Sequence, residues 1–206
     1  MPQKTIAQGA EAVIFLNSKG NIVKDRIKKG YRISEIDEKI RTRRTKSEAK
    51  ILEKAGKIIR VPKMLKVNES QKEVIIEFIQ GKKLSQYLDS FKPLQQKQIM
   101  EEIGISTAKL HNEGIIHGDL TTSNMIYAEK EKKVYFIDFG LAFISSRYED
   151  MAVDIHLLKQ ALEAKHFKNW QTLFKEFEKG YSKESKHEKE IFERLKKVES
   201  RGRYKH

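Results

Sequence analysis

No cysteine occurs in the 206 residues, so disulfides and thiolate metal sites are excluded. That suits a reducing interior, and it would equally suit a heat-stressed one. No apolar run approaches the length of a membrane span. The start, Met1-Pro2-Gln3-Lys4, has no signal-peptide pattern, and the expectation is a soluble, cytoplasmic protein without membrane contact. Internal repeats and low-complexity tracts are also missing, which leaves an ordinary globular chain. Its length can bury one substantial core, or two small lobes sharing a cleft.

Charge is what the chain has in abundance. Charged residues make up 34%, and Lys plus Arg (42) exceed Asp plus Glu (29) by 13. Such an excess attracts polyanions, because each neutralised phosphate releases a condensed counterion. RNA or an acidic partner fits this balance, and so does the Lys- and Glu-rich surface of a thermophile.

The first third alternates short strands with helix. Val13 to Leu16 and Ile22-Val23 flank the turn-rich Asn17-Ser18-Lys19-Gly20-Asn21, which predicts a hairpin, and Gln8-Gly9-Ala10-Glu11-Ala12 predicts a loop before it. Ser34 with Asp37, and Thr45 with Glu48, each pair a capping hydroxyl with an acid three residues on, predicting two successive helix starts with Gly56 as the end of the second. Met64 to Val67 and Glu73 to Ile79 read as two further strands, and Gln80-Gly81-Lys82-Lys83 breaks the pattern. Pro93 suits a helix first turn, with Ile99, Ile103 and Leu110 at helical spacing before Asn112-Glu113-Gly114. A short hairpin, Met125 to Tyr127 with Val134 to Ile137, follows. Met151 to Leu162, Trp170 to Phe177 and Ser182 to Lys197 then read as helices, the last anchored by Ile191, Phe192 and Leu195.

The chemistry lies around that hairpin. His117-Gly118-Asp119-Leu120-Thr121-Thr122-Ser123-Asn124 is followed by Ile137-Asp138-Phe139-Gly140. An Asp and an Asn five apart in one loop, with an Asp-Phe-Gly fourteen residues on, is how a phosphoryl-transfer site holds a base and two metal ions. Asp119 is placed to orient or deprotonate an acceptor hydroxyl or water. Asn124 and Asp138 offer the hard oxygen ligands that Mg²⁺ prefers. Singly, an Asp or Asn in a loop is a turn or a cap; the joint spacing reverses that reading.

A cation must grip the phosphates, and Lys24, ending the strand Ile22-Val23, is the candidate. Arg26 shares its face by strand alternation, so the assignment rests on position. Glu48 is the natural carboxylate partner on the following helix, Glu53 the fallback, and a capping acid the plainer reading of Glu48. ATP as cofactor would set its purine against Glu73 to Ile79, with Ile76 limiting the depth and the Glu77 carbonyl and Ile79 amide reading the adenine edge.

Together these residues resemble the protein-kinase fold, in kinase order and over nearly the whole chain. The resemblance implies an α+β, minimal bilobal protein-kinase-like architecture: a small antiparallel-sheet N-lobe over residues 1–79, a mostly helical C-lobe over 80–199 with a shortened activation segment, and a basic tail over 200–206. Asp154 looks like the helix Asp that ties down the catalytic-loop backbone in that fold. Departures narrow the family. Gly9 stands alone where three glycines are usual, His117-Gly118-Asp119 lacks the Arg that receives an activation-loop phosphate, and Thr121 replaces the catalytic-loop Lys. Only ten residues separate Gly140 from Met151, without an Ala-Pro-Glu motif, which leaves no room for an ordinary peptide platform.

This pattern is similar to the PRPK-like atypical kinase and ATPase subunit of the KEOPS complex. Lys24-Asp25-Arg26-Ile27-Lys28-Lys29-Gly30-Tyr31-Arg32, Arg43-Arg44-Thr45-Lys46-Ser47-Glu48-Ala49 and Arg201-Gly202-Arg203 carry the match. The resemblance implies association with the threonylcarbamoyl transferase and other KEOPS subunits, ATP hydrolysis with Mg²⁺ in support of tRNA modification, and Ser/Thr phosphorylation or autophosphorylation as a second activity. Arg41, Arg43, Arg44 and Lys46, and Arg201, Arg203 and Lys205 in the tail, are candidate tRNA phosphate contacts without base readout, or equally a solvated helix face and a frayed terminus. A RIO-type kinase, a nucleotide-sensing pseudokinase scaffold and a small-molecule phosphotransferase are the alternatives.

Overall fold

The structure is a computed structural model that describes residues 4–9 and 12–202. Ala10 and Glu11 of the expected loop, and Arg203 and Lys205 of the expected tail, lie outside the described residues. Strand β1 (Lys4–Gln8) leads into the hairpin of β2 (Val13–Leu16) and β3 (Ile22–Asp25), then helix α1 (Ser34–Ala55), β4 (Met64–Asn68) and β5 (Glu73–Ile76). These strands form one antiparallel sheet in the order β1-β2-β3-β5-β4. The hairpin turn closes as its residues direct: the Asn17 side chain accepts from the amides of Lys19 and Asn21, both at 3.0 Å.

Helix α1 corrects one expectation. It is a single helix of 22 residues, with no second start at Thr45. Thr45 is fully buried, and its hydroxyl donates to the Lys72 carbonyl at 3.4 Å, so the hydroxyl staples the helix to the sheet instead of capping a new one. Nor does Ser34 cap the start, where the cap position is Ile33 and no side chain bonds the free amides. Gly56 does end the helix, its amide donating to the Leu52 carbonyl. The strand expected over Glu73 to Ile79 stops at Ile76, because 77–79 leave the sheet as an extended connection.

That connection runs into β6 (Lys82–Lys83), α2 (Leu84–Tyr87), the long helix α3 (Pro93–Asn112) with Pro93 in its first turn, and β7 (Ile115–Ile116). Lys82-Lys83, expected only as a break, pair with the hairpin of β8 (Met125–Ala128) and β9 (Lys133–Phe136) in a three-stranded sheet. Next, β10 (Phe143–Ile144) pairs with β7, before α4 (Tyr148–Lys165), α5 (Trp170–Glu184) and α6 (Glu188–Gly202). The helix expected from Ser182 instead breaks at Ser185 to His187, so Ser182 belongs to α5 and α6 starts at Glu188. One core holds the second half together, centred on Ile103, Leu110, Phe136, Leu158 and Phe177, and Ile51, Leu52 and Ala55 of α1 join its edge. No helix among the described residues is long and apolar enough to cross a membrane.

Candidate active site

A cavity of about 270 Å³ lies where the sheet meets the hairpin, walled by Ile14, Ile22, Val74, Ile76 and Ile126. Lys24, Glu48, Glu77, Ile79, Asn124 and Asp138 all line it, so residues spread over most of the chain converge on one space. Such a space, apolar with a few fixed polar groups, is what a small-molecule site requires. Neither the Glu77 carbonyl nor the Ile79 amide is taken up by another backbone group among the described residues, which leaves one acceptor and one donor on the extended connection.

At the polar end, the Lys24 ammonium donates to Glu48 Oε1 at 2.7 Å and to Asp138 Oδ1 at 2.5 Å. Burial works against the Lys24 charge, but the carboxylates of Glu48 and Asp138 outweigh it and hold the ammonium above its ordinary value. The mirror effect holds at Asp138. Burial pushes its carboxyl up, and Lys24 together with the Gly140 amide, donating at 3.1 Å, brings it below the ordinary aspartate value. Arg26 also reaches Glu48, through Nη2 to Oε2 at 2.5 Å. The two cations on one face are thereby told apart: both hold Glu48, and Lys24 alone bridges to Asp138. Glu53, the fallback, is exposed and does not line the cavity.

The catalytic-loop candidates meet by a separate route. Asn124 donates through Nδ2 to the Asp119 carbonyl at 3.0 Å and to Asp119 Oδ2 at 2.7 Å. Both bonds use the amide nitrogen, so its oxygen is not spent on them. The Ile137 amide donates to the Asn124 carbonyl at 2.9 Å, which ties this loop to the strand end that carries Asp138. Asp138 itself has φ +63°, a left-handed conformation that Asp tolerates better than most residues.

Asp154, on α4, lies beneath the loop. Its carboxylate accepts from the amides of His117 and Gly118 at 2.8 and 2.9 Å. Gly118 has φ +77°, and a Cβ there would collide with the Leu141 carbonyl, so only glycine lets both amides face Asp154. Two supports were not foreseen. His111 joins Asp154 at 3.2 Å to the Tyr181 hydroxyl at 2.8 Å, and His166 joins Thr122 of the loop to Asp89. Their one signal in the sequence is a histidine among apolar positions of a helix or at its end.

Gly9 stands apart. It does not line the cavity, although Ile6 and Ala7 of β1, the strand just before it, do, and among the described residues a Cβ on it would meet only the Ala12 carbonyl, at 3.7 Å. Arg41 is half-buried and holds Asp37 at 2.7 Å, and Lys46 pairs with Glu69 at 2.8 Å, so both cations are already engaged; Arg43 is exposed.

No group of three or more His, Cys, Asp or Glu that could hold a metal ion occurs among the described residues. A magnesium ion here would rest on Asp138 and the Asn124 amide oxygen, with substrate oxygens and water completing its shell. Two hard oxygen donors from the protein are what this ion takes beside a phosphate chain, and the Asp138 side chain is 39% exposed, so the residues fit.

Comparison with known proteins places this geometry. Residues 2–162 match the protein kinase domain family. The chain is 43% identical to the KEOPS complex subunit Bud32 of Pyrococcus abyssi, over 98% of this chain and 96% of that protein. It is 41% identical to a probable serine/threonine-protein kinase, a BUD32 homolog, of Archaeoglobus fulgidus, over 89% and 88%. A probable bifunctional tRNA threonylcarbamoyladenosine biosynthesis protein of Methanobrevibacter smithii is 40% identical over 100% of this chain, which spans 38% of that longer protein. With near-complete coverage of relatives this similar, and with the lysine, the two acids and the loop in kinase order, the chain belongs to the Bud32 family of protein-kinase-like proteins.

Proposed function

We propose that the chain is an Mg-ATP-dependent phosphotransferase and ATPase that works in the cytoplasm inside a KEOPS-type assembly, supporting threonylcarbamoyl modification of tRNA adenosine. The observation that carries the reading is the joining of Lys24, Glu48 and Asp138 by ion pairs at the polar end of the cavity that Asn124 also lines. The names borne by the relatives support the assembly and the RNA substrate. In this reading residues 1–79 grip the nucleotide, 80–199 carry the acceptor side, and 200–206 add a basic tail.

Each residue has a task. The Glu77 carbonyl and Ile79 amide orient the purine between apolar walls, and Glu48 pre-orients the Lys24 ammonium for the α- and β-phosphates. Magnesium, when bound, neutralises charge on the transferring phosphoryl group. Asp138 and Asn124 hold that ion, Asp154 fixes the loop backbone, and Asp119 orients a water or hydroxyl for in-line attack. Thr121 brings no cation to the transferred group, and the ten residues between Gly140 and Met151 build no peptide platform. Both features favour water as an acceptor, and hence ATPase activity.

The transferase is the direct partner, and tRNA meets exposed cations such as Arg43. Gly9, whose amide donates to the Ala12 carbonyl at 2.9 Å, contributes only by shaping the loop beside the nucleotide. Labelled-ATP turnover by the purified assembly tests the reading: Asp119→Asn or Asp138→Ala abolishes it, and unchanged turnover removes the enzymatic role. Binding of tRNA that does not weaken with added salt removes the phosphate-contact role.

A further inference from the structure

The loop that carries Asp119 is pinned at two points, and Asp154 accounts for only the first, the His117 and Gly118 amides. The second is Thr122, which is fully buried and opens the short 3-10 turn Thr122–Asn124. Its hydroxyl has one partner among the described residues, His166 Nε2 at 3.2 Å. His166, only 2% exposed, closes α4: its amide donates to the Leu162 carbonyl at 2.8 Å, and its carbonyl accepts from the Asn169 amide at 3.2 Å. The ring is held from the far side by Asp89, whose carboxylate meets Nδ1 at 2.9 Å. Asn169 in turn donates to Gln96 Oε1 at 2.6 Å, and Gln96 Nε2 donates to the Asp89 and Phe91 carbonyls at 3.4 and 2.9 Å. Asp89, His166, Asn169 and Gln96 thus form a closed circuit, and the His166 imidazole offers its remaining nitrogen to the loop.

We infer that His166 is a positioning residue for Asp119 and Asn124, a clamp that sets the turn of this loop through the Thr122 hydroxyl. The inference rests on the phosphotransfer reading above and goes beyond it. A carboxylate only accepts, so Nδ1 donates to Asp89, and in the neutral imidazole Nε2 is left to accept from Thr122. A buried hydroxyl against an imidazole gains no packing over an apolar pair that fills the same space. What it adds is direction, because a satisfied polar network admits few arrangements. That direction is used two residues on. The Asn124 amide donates to the Thr121 carbonyl at 3.0 Å, and the Asn124 side chain holds Asp119 at 2.7 Å. A turn that slips at Thr122 therefore moves Asn124 relative to Asp138 and releases Asp119 with it. His166 does not line the cavity, so it acts only through the loop.

Two measurements on the full-length chain test this, the first without nucleotide. In hydrogen exchange of the ligand-free protein, Thr122→Val should speed the Asn124 amide, and the Ile137 amide that donates to the Asn124 carbonyl, about tenfold, and leave the amides of α3 and α5 within about twofold. In labelled-ATP turnover by the purified assembly, the same variant should lower the maximal rate about tenfold, raise the Mg²⁺ needed for half-maximal rate about three- to tenfold, and keep the KM for ATP within about twofold. The His166 variants show the route. His166→Gln keeps an acceptor at the Nε2 position and should retain more than about a third of the parental rate, whereas His166→Asn keeps the donor to Asp89, loses the hydroxyl and should match Thr122→Val. Thr122→Val combined with His166→Asn should be within about twofold of either alone. Thr122→Ser, which keeps the hydroxyl, supplies the rescue if the His166 variants do not fold. Faster exchange throughout α3 and α5, or equal losses in His166→Gln and His166→Asn, would make His166 merely structural. Additive losses in the double variant would overturn the clamp. A parent assembly that turns over no ATP overturns the proposed function, and the exchange pattern then decides the clamp alone; a parent that turns over ATP while Thr122→Val loses neither rate nor protection overturns this inference alone.

Discussion

The sheet region and the helical region bury different things. The largest fully buried side chains, from Tyr181 and Phe136 to Ile115 and Ile116, all lie after Lys83. Before it the core is thinner, Val23, Leu52 and Val74 being its best-buried members larger than alanine, and Lys24, Arg26, Asp37, Glu48 and Lys72 are buried beside them. The helical region buries neutral polar groups and histidines around one carboxylate, Asp154. A charge held by another charge can exchange partners, and a backbone amide held by a carboxylate stays where it is. The fold therefore puts its exchangeable contacts around the cavity at Lys24 and its fixed ones under the loop that carries Asp119.

The strongest way to break this contrast is Asp138→Ala. If the ion quartet of Lys24, Arg26, Glu48 and Asp138 serves ligand exchange, the substitution lowers ATP turnover by about 10³- to 10⁴-fold with only a modest fall in the unfolding midpoint in urea, since Lys24 keeps Glu48. A large loss of stability with modest loss of turnover would mean that the quartet is ordinary structural glue.

Phe177→Ala comes next and acts on the other region. Fully buried in the packed core, this ring should cost about 3–5 kcal/mol of unfolding free energy. Phe15→Ala in the sheet should cost clearly less, because its surroundings can collapse onto the smaller side chain. Equal costs in denaturant titrations would show one uniformly packed body. Hydrogen exchange sharpens the point: amides of β2 and β3 should open before those of α3 and α5.

How far the sequence announced this contrast depends on the range of each signal. The β2–β3 hairpin, Pro93 at the start of α3 and the stop at Asn112-Glu113-Gly114 are local, and they were legible. So was the meeting of Asn124 with Asp119, at 2.7 Å, and with Asp138 on the lining of one cavity, because their spacing leaves few other reasons to coexist. Thr45 and Glu48 misled because a hydroxyl with an acid three residues on looks the same at a helix start and in mid-helix. Only the Lys72 carbonyl, supplied by the distant turn between β4 and β5, decides that Thr45 is a staple. Arg26 and Lys24 could not be separated for the same reason, since their difference is a contact with a residue more than a hundred positions away. The two-residue pairings β6–β8 and β7–β10 carry no periodicity at all, so they emerge only with the tertiary fold.

A middle-sized effect tests the fixed half. Asp154→Asn keeps the shape but weakens acceptance from the His117 and Gly118 amides, so the loop beneath Asp119 loosens. Maximal turnover should fall about 10- to 100-fold, with the KM for ATP within about twofold, because the cavity walls and Lys24 are untouched. A rise in KM with unchanged maximal turnover would place Asp154 on the nucleotide side and blur the division between the regions.

The smallest effect separates the regions by the sign of their response to acid. Burial pushes the carboxyls of Glu102 on α3 and Glu178 on α5 above the ordinary glutamate value. A raised carboxyl binds its proton more tightly in the folded state, so these two groups add stability as pH falls from neutrality toward the ordinary carboxylate range, against an opposite contribution from Glu101 on α3, which Lys183 of α5 brings below the ordinary value at a solvent-screened surface site. Asp37 and Asp138 respond the other way: burial opposes their charge, but Arg41, the Lys29 amide and Arg32 for the first, and Lys24 for the second, bring both below the ordinary value. Their contribution is complete above that range and is lost as pH drops through the depressed values. Lys24, raised, gives the alkaline counterpart, its contribution holding below the ordinary lysine value and disappearing as pH climbs through the raised one. Glu73 on β5 is raised by burial and by Asp25, so it softens the acid loss of the sheet without reversing it, being a single partly exposed group against two buried pairs. Residue-resolved hydrogen exchange should therefore show α3 and α5 holding or gaining protection from pH 7 to about 5, with β3 and α1 losing theirs first below about pH 4. Loss of protection in both regions at one pH would mean that the buried ions of the sheet are not set apart from the packed helices beneath them.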